Sequence, residues 1–103
     1  MTVYWLTFRL ENATIGGKTY EARYQALVDT LQKLTTRWWV KPTSFFAFES
    51  ASSIENIAVA CKRAIAPSHD LFLVREMDTK NALICGNNDD ADIFALMPYL
   101  KKV

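Results

Sequence analysis

The N-terminal residues alternate between apolar and more polar side chains, which is typical of a β-strand with one buried face. Residues 3–10 are predicted to form this first strand, because β-branched and aromatic side chains favour extended backbone. Successive side chains of a strand point to opposite faces, so every second residue shares a face. We expect one set to point into the core: Tyr4, Leu6, Phe8 and Leu10. The other set is Val3, Trp5, Thr7 and Arg9.

Apolar side chains next recur every three or four residues, which predicts an amphipathic helix over residues 19 to about 35. Thr19 is placed to cap the helix N-terminus, and Glu21 suits the positive end of the helix dipole. The preceding Gly16-Gly17 indicates a loop. The predicted apolar stripe is Tyr20, Tyr24, Leu27, Val28, Leu31 and Leu34.

Two apolar segments, residues 37–41 and 44–49, flank Pro42-Thr43 and predict an antiparallel hairpin. A second helix follows, because Ser52 and Glu55 have the spacing of a capping box. Pro67 is expected to stop the chain from continuing this helix. The predicted buried stripe of this second helix is Ile54, Ile57, Ala58, Cys61 and Ile65.

The last third of the chain begins with an apolar run that predicts a fourth strand over residues 71–76. Residues 81–85 are a candidate for a short fifth strand. Asp89 or Asp90 is then placed to begin a short last helix, which Pro98 should end.

This order of elements, strand-helix-strand-strand-helix-strand, predicts an α+β fold of the ferredoxin-like type, a two-layer sandwich with both helices on one face of the sheet. Right-handed connections place the first and third strands in the centre and the fourth at an edge. We interpret residues 1–103 as one domain of this type, with residues 81–103 as a C-terminal appendage.

The sheet face opposite the helices is expected to be uncovered and unusually aromatic. Trp5 lies on it, and so does one of the adjacent Trp38 and Trp39, because neighbours in a strand point to opposite faces. Large exposed apolar surfaces usually mark association sites. A second copy of the chain is the expected occupant; a peptide or nucleic-acid ligand, or the chain's own C-terminal segment, are the alternatives.

The fourth strand adds a second feature that favours self-association. Leu71 and Leu73 lie in a run without proline or charge, so nothing protects the strand's free backbone groups from pairing with another chain. We expect residues 81–85 to pair there, either within one chain or across a two-fold axis. A homodimer is therefore the predicted assembly.

Composition limits the classes of partner. The chain is 50% hydrophobic and 22% charged, as in a folded protein, and its net charge of +1 gives no strong attraction for nucleic acid or membranes. No apolar run approaches a membrane span, and the first residues do not resemble a signal peptide. Cys61 and Cys85 form no motif, and we expect two buried, reduced thiols in the cytoplasm rather than a disulfide.

No residue pattern predicts a catalytic, cofactor or metal site. Gly16-Gly17-Lys18-Thr19 lacks the first glycine of a phosphate-binding loop, since Asn12 stands there. Phe46 and Phe48 partly match an RNA-recognition strand but are expected in the core or in a dimer interface. The single histidine, His69, is expected in the polar loop before the fourth strand, and the cluster Asp89, Asp90 and Asp92 is expected to supply negative charge at the start of the last helix.

The layout over residues 3–86, together with Ser52-Ser53-Ile54-Glu55-Asn56-Ile57, resembles small ferredoxin-like CRISPR-adaptation nucleases and their virulence-associated relatives in bacteria. The resemblance implies a homodimer with a sheet built across both chains. It also implies a metal-dependent nuclease where an acidic residue ends the first strand. Here Arg9 stands closest to that position, and Glu11 lies two residues beyond.

The predicted function is a non-enzymatic homodimeric interaction or regulatory module of the bacterial cytoplasm. The alternatives are a divergent metal-dependent ribonuclease of the type just named, and an RNA-binding module that would use basic residues on the open face. The candidate interface or ligand residues are Trp5, Arg9, Trp38, Trp39, Leu71 and Leu73, and Arg37 and Lys41 are further candidates for RNA contacts.

Overall fold

The helices and strands follow one another in the predicted order. The computed structural model describes residues 1–102. Its elements are β1 (Thr2–Arg9), α1 (Tyr20–Leu34), β2 (Arg37–Trp39), β3 (Phe45–Ser50), α2 (Ile54–Ala64), β4 (Leu71–Glu76), β5 (Leu83–Ile84), α3 (Asp92–Leu96) and β6 (Lys101–Lys102).

The main sheet has the strand order β2-β3-β1-β4, and all neighbouring strands are antiparallel. β1 and β3 therefore occupy the centre, and β4 lies at an edge, as the connection rules predict. This is the ferredoxin-like α+β arrangement, and the predicted fold class is confirmed.

The main core lies between the sheet and the helices α1 and α2. Tyr4, Leu6, Phe8 and Leu10 are buried there, which confirms the face assigned from the alternation of β1. Cys61 is fully buried, and this burial raises the pKa of its thiol to about 12. The other buried members are Leu27, Leu31, Phe46, Phe48, Ile57 and Ala64.

The starts of α1 and α2 show one confirmed and one wrong capping prediction, and at α3 the cap is Ala91 rather than the predicted Asp89 or Asp90. The side-chain oxygen of Thr19 accepts a hydrogen bond from the backbone N–H of Ala22, at 3.1 Å. At α2 the cap is Ser53, not Ser52. The backbone N–H of Ser52 donates to Ser50 Oγ and its carbonyl accepts from the Tyr4 hydroxyl, so Ser52 is tied to the sheet and the helix begins one residue later.

The C-terminal segment forms a second core on the other sheet face. Ala47 of β3 is fully buried beneath Ile93, Leu96 and Leu100. The whole of this face was expected to be uncovered, and that expectation is wrong for the half formed by β2 and β3. The segment's apolar residues recur at helical spacing around α3, so they form a stripe that a sheet face can bury.

The predicted pairing of residues 81–85 with the fourth strand is also wrong. β5 pairs in parallel with β6 to form a separate two-stranded sheet. Within residues 1–102, no strand pairs with the outer edge of β4. The segment instead crosses towards β2 and β3, because its apolar stripe packs over Ala47.

Candidate functional site

The half of the sheet face formed by β1 and β4 is left open by the C-terminal segment. Arg9 lies opposite Leu71, and Thr7 lies opposite Leu73, in the register of the two strands. Trp5, on the same face, is half-buried and stacks on Phe45 with ring centroids 6.2 Å apart. Four of the six predicted site residues are therefore brought together: Trp5, Arg9, Leu71 and Leu73.

The two leucines are the most distinctive part of this surface. Leu71 is 60% exposed and Leu73 is 57% exposed, although both lie within a strand. The alternating residues of the same strand, Phe72 and Val74, pack against the main core. One face of β4 thus packs against the main core, and the other exposes two large apolar side chains to solvent.

The outer edge of β4 carries free backbone groups. The N–H of Met77 donates to the carbonyl of Val3, at 2.9 Å. In an antiparallel ladder the residues that bond to one neighbour alternate with those that point away from it. The backbone groups of Phe72 and Val74 therefore point outward, where another strand can pair with them.

An apolar groove runs beside this edge on the helix side of the sheet. It measures about 330 Å³ and lies between α2 and the start of β4. Val59 of α2 is 49% exposed at this groove, which Lys62 and the half-buried Ala58 also line. Ala58 was predicted in the buried stripe of α2, but it borders the groove instead. Exposed apolar side chains thus flank the free edge of β4 on both faces of the sheet.

Sequence analysis missed Val59, although a signal was available. Val59 is an apolar residue on the side of α2 opposite the buried Ile57 and Cys61, with Glu55 four residues before it. An apolar residue on the polar side of an amphipathic helix has no core to enter and indicates a contact with another surface.

Trp38 and Trp39 do not join this surface. Trp38 points to the helix side and stacks on Phe46, with ring centroids 6.1 Å apart. Trp39 is on the opposite face, as alternation requires, but the C-terminal segment covers it. Its indole Nε1–H donates to Asn88 Oδ1 at 3.0 Å. Both tryptophans therefore have partners within the chain.

Residues that would support RNA binding are also engaged elsewhere. Phe46 and Phe48 are buried in the main core, where no base could stack on them. Arg37 lies 3.8 Å from Asp92, and the Lys41 ammonium lies 2.7 Å from a carboxylate oxygen of Asp89. The hydrogen bond from Lys41 holds the pKa of Asp89 below its ordinary value. Asp92 and Asp89 of the acidic cluster thus form exposed ion pairs with Arg37 of β2 and with Lys41, which lies just beyond that strand.

The end of β1, where the family resemblance expects an acidic residue, contains a different arrangement. Glu11 Oε2 lies 2.7 Å from His69 Nδ1, and both side chains are half-exposed. The nearby carboxylate of Asp70 forms an ion pair with the Arg23 guanidinium, at 2.9 Å. Across residues 1–102, no three His, Cys, Asp or Glu side chains are grouped to hold a metal ion.

The cysteines are unpaired, but only one is buried. Cys61 lies in the main core and Cys85 is exposed. The expectation of two buried thiols is therefore wrong for Cys85, which follows the short strand β5 at the surface. Among the described helices, none is long and apolar enough to cross a membrane.

Comparison with known proteins adds no family to this geometry. Neither a protein-family model nor a curated protein matches the chain.

Proposed function

We propose that this protein is a non-enzymatic homodimeric interaction module in which the free edge of β4 pairs with β4 of a second copy. The observation that carries the proposal is the outer edge of β4, with which no strand of residues 1–102 pairs, flanked by exposed Leu71 and Leu73 on one face and Val59 on the other. Exposed edge strands are prone to pair with another chain, and proteins that remain monomeric usually protect them.

The energetics support pairing with an identical strand. Two β4 strands related by a two-fold axis run antiparallel, so the outward backbone groups of Phe72 and Val74 meet equivalent groups of the second copy. Covering Leu71 and Leu73 would contribute about 1–2 kcal/mol for each leucine that leaves water. The net charge of +1 produces little repulsion between copies.

The available side chains favour an interaction role over catalysis. The pair formed by Glu11 and His69 is half-exposed and lies at the surface, and Asp70 is neutralised by Arg23. Metal-dependent cleavage of RNA that disappears in Glu11→Gln, with the fold intact, would contradict the non-enzymatic proposal. We also propose a cytoplasmic location, because the exposed Cys85 is a free thiol and such thiols persist in reducing compartments. The proposal of a bacterial source rests on the family resemblance alone.

Sedimentation equilibrium tests the proposed dimer. At micromolar concentration the protein should have roughly twice the chain mass of 11.8 kDa. Leu73→Lys should shift it to monomer, because two ammonium groups would meet beside the two-fold axis. Leu83→Lys is the matched control: Leu83 is 68% exposed but lies on the C-terminal segment, so the dimer should persist. Wild-type protein that is monomeric at high concentration would refute the proposal.

A further inference from the structure

One stripe of α2 carries side chains that the main core does not use. Glu55, Ala58, Val59 and Lys62 have the spacing of neighbours on one side of a helix, with the two charges at the ends and the small apolar residues between them. The buried residues of α2 lie on the opposite side. No ion pair within residues 1–102 involves Glu55 or Lys62.

Three of the four residues of this stripe line the groove beside the free edge of β4. Ala58, Val59 and Lys62 line that groove together with Leu71 and Phe72. A second β4 strand added at the edge would bring its own α2 to the same side of the extended sheet. The stripe therefore lies where the helices of two copies would meet.

Glu55 and Lys62 stand at opposite ends of the stripe, so in an antiparallel pair of α2 helices each would face the opposite charge of the other helix. We propose, on the basis of the β4-mediated dimer described above, that α2 packs antiparallel against α2 of a second copy. Glu55 then lies beside the partner subunit's Lys62, and Lys62 lies beside the partner subunit's Glu55. The short side chain of Ala58 allows the two helices to approach closely, and Val59 fills the centre of the contact.

One two-fold axis can relate both the two β4 strands and the two α2 helices. α2 connects β3 to β4, which run in the same direction, so α2 runs opposite to β4. A strand advances about 3.3 Å per residue and a helix about 1.5 Å. The distance along β4 from Leu71 to Leu73 and the distance along α2 from Lys62 back to Ala58 are therefore similar, each about 6–7 Å. If Leu71 lies level with Lys62, since both line the groove, an axis through Leu73 would pass close to Ala58 and Val59, and it would align Phe72 with the partner's Val74.

Charge exchange between Glu55 and Lys62 tests the helix contact. Glu55→Lys and Lys62→Glu each replace two attractive contacts per dimer by two repulsive ones. Each variant alone should raise the dissociation constant about tenfold in low salt. The double variant should dimerise like wild type. Mixing the two single variants should give a heterodimer, because every contact is then attractive again.

Matched controls separate this effect from general changes in charge or helix stability. Glu21→Lys makes the same change in the first turn of α1, and Arg63→Glu makes it next to Lys62 but outside the stripe. Both should leave the dissociation constant within about twofold of wild type, and added salt should reduce the effect of the stripe variants.

The outcomes distinguish the helix contact from the dimer itself. Monomeric wild-type protein would overturn both proposals. A dimer that Leu73→Lys disrupts but that neither stripe variant weakens would retain the β4 interface and overturn the helix contact. The groove would then be left for another occupant, such as a peptide. Failure of the mixed variants to form a heterodimer would also overturn the helix contact.

Discussion

At the scale of single residues, Arg23 joins the loop after β1 to the loop before β4. Its guanidinium donates to the carboxylate of Asp70 and to three backbone carbonyls, those of Glu11, Ala13 and Lys18. Asp70 also accepts from the backbone N–H groups of Glu11 and Ala66. Both side chains are almost fully buried, and in residues 1–102 no buried side-chain nitrogen or oxygen lacks a partner. This network holds Glu11 and the start of β4 in place.

Asp70→Asn should lower the free energy of unfolding by about 3–5 kcal/mol at pH 7, because it leaves the buried Arg23 without its counter-charge. Burial by itself would raise the pKa of Asp70, but the hydrogen bonds from Arg23, Ala66 and Glu11 outweigh it and hold that pKa below its ordinary value. The pair's contribution is therefore fully present above about pH 4 and is lost as the pH falls through the lowered pKa.

Urea unfolding of wild type and variant from pH 7 to acid checks both parts of this prediction. Asp78→Asn is the control, since the pair of Asp78 with Arg75 is well exposed, at 3.7 Å. It should change the free energy by less than about 0.5 kcal/mol. Equal effects of the two substitutions would mean that the Arg23 pair is not buried.

At the scale of elements, the C-terminal segment is held to the sheet by its own small core. Ile93 of α3 is 1% exposed against β3, whereas Leu83 of β5 is 68% exposed. Ile93→Ala should lower the free energy of unfolding by about 2–5 kcal/mol, because it leaves a cavity over Ala47. Leu83→Ala should change it by less than about 0.5 kcal/mol. Denaturant unfolding compares them, and similar values would show that the segment is not packed on the sheet.

Local patterns predicted most of the sheet and both long helices. The alternation in β1 and the helical spacing in α1 each indicate which face of the element is buried. A short stretch of sequence is therefore enough to predict both the element and its buried face. β4 was predicted at its observed bounds, and Leu71 and Leu73 of the candidate site were predicted with it. These features depend on residues that are close together in the chain.

The features that sequence could not supply depend on residues far apart. Ala47 meets Ile93, which lies 46 positions along the chain, and no periodicity links the two. The hydrogen bond from Trp39 to Asn88 joins residues 49 positions apart and is equally absent from any local pattern. The partner of Arg23 is similarly remote. The start of α2 was misplaced because the backbone N–H of Ser52 bonds to Ser50 and its carbonyl accepts from the Tyr4 hydroxyl. Ser53 therefore caps the helix in place of Ser52.

At the scale of the whole molecule, the sheet is covered unequally. Helices cover one face, the C-terminal segment covers the β2 and β3 half of the other, and the remaining half borders the free edge of β4. Exposed Leu71, Leu73 and Val59 all lie at this border. Pairing of β4 with β4 of a second copy would cover Leu71 and Leu73 in both copies, and the contact between the two α2 helices would cover Val59.

Hydrogen–deuterium exchange of the β4 backbone tests whether β4 pairs with β4 of a second copy. The amides of Phe72 and Val74 point to the free edge, whereas those of Leu73 and Arg75 point towards β1 and serve as internal controls. In the dimer, all four should exchange slowly. Dilution below the dissociation constant, or Leu73→Lys, should speed exchange at Phe72 and Val74 alone. Fast exchange at these two amides in concentrated wild-type protein would contradict the pairing.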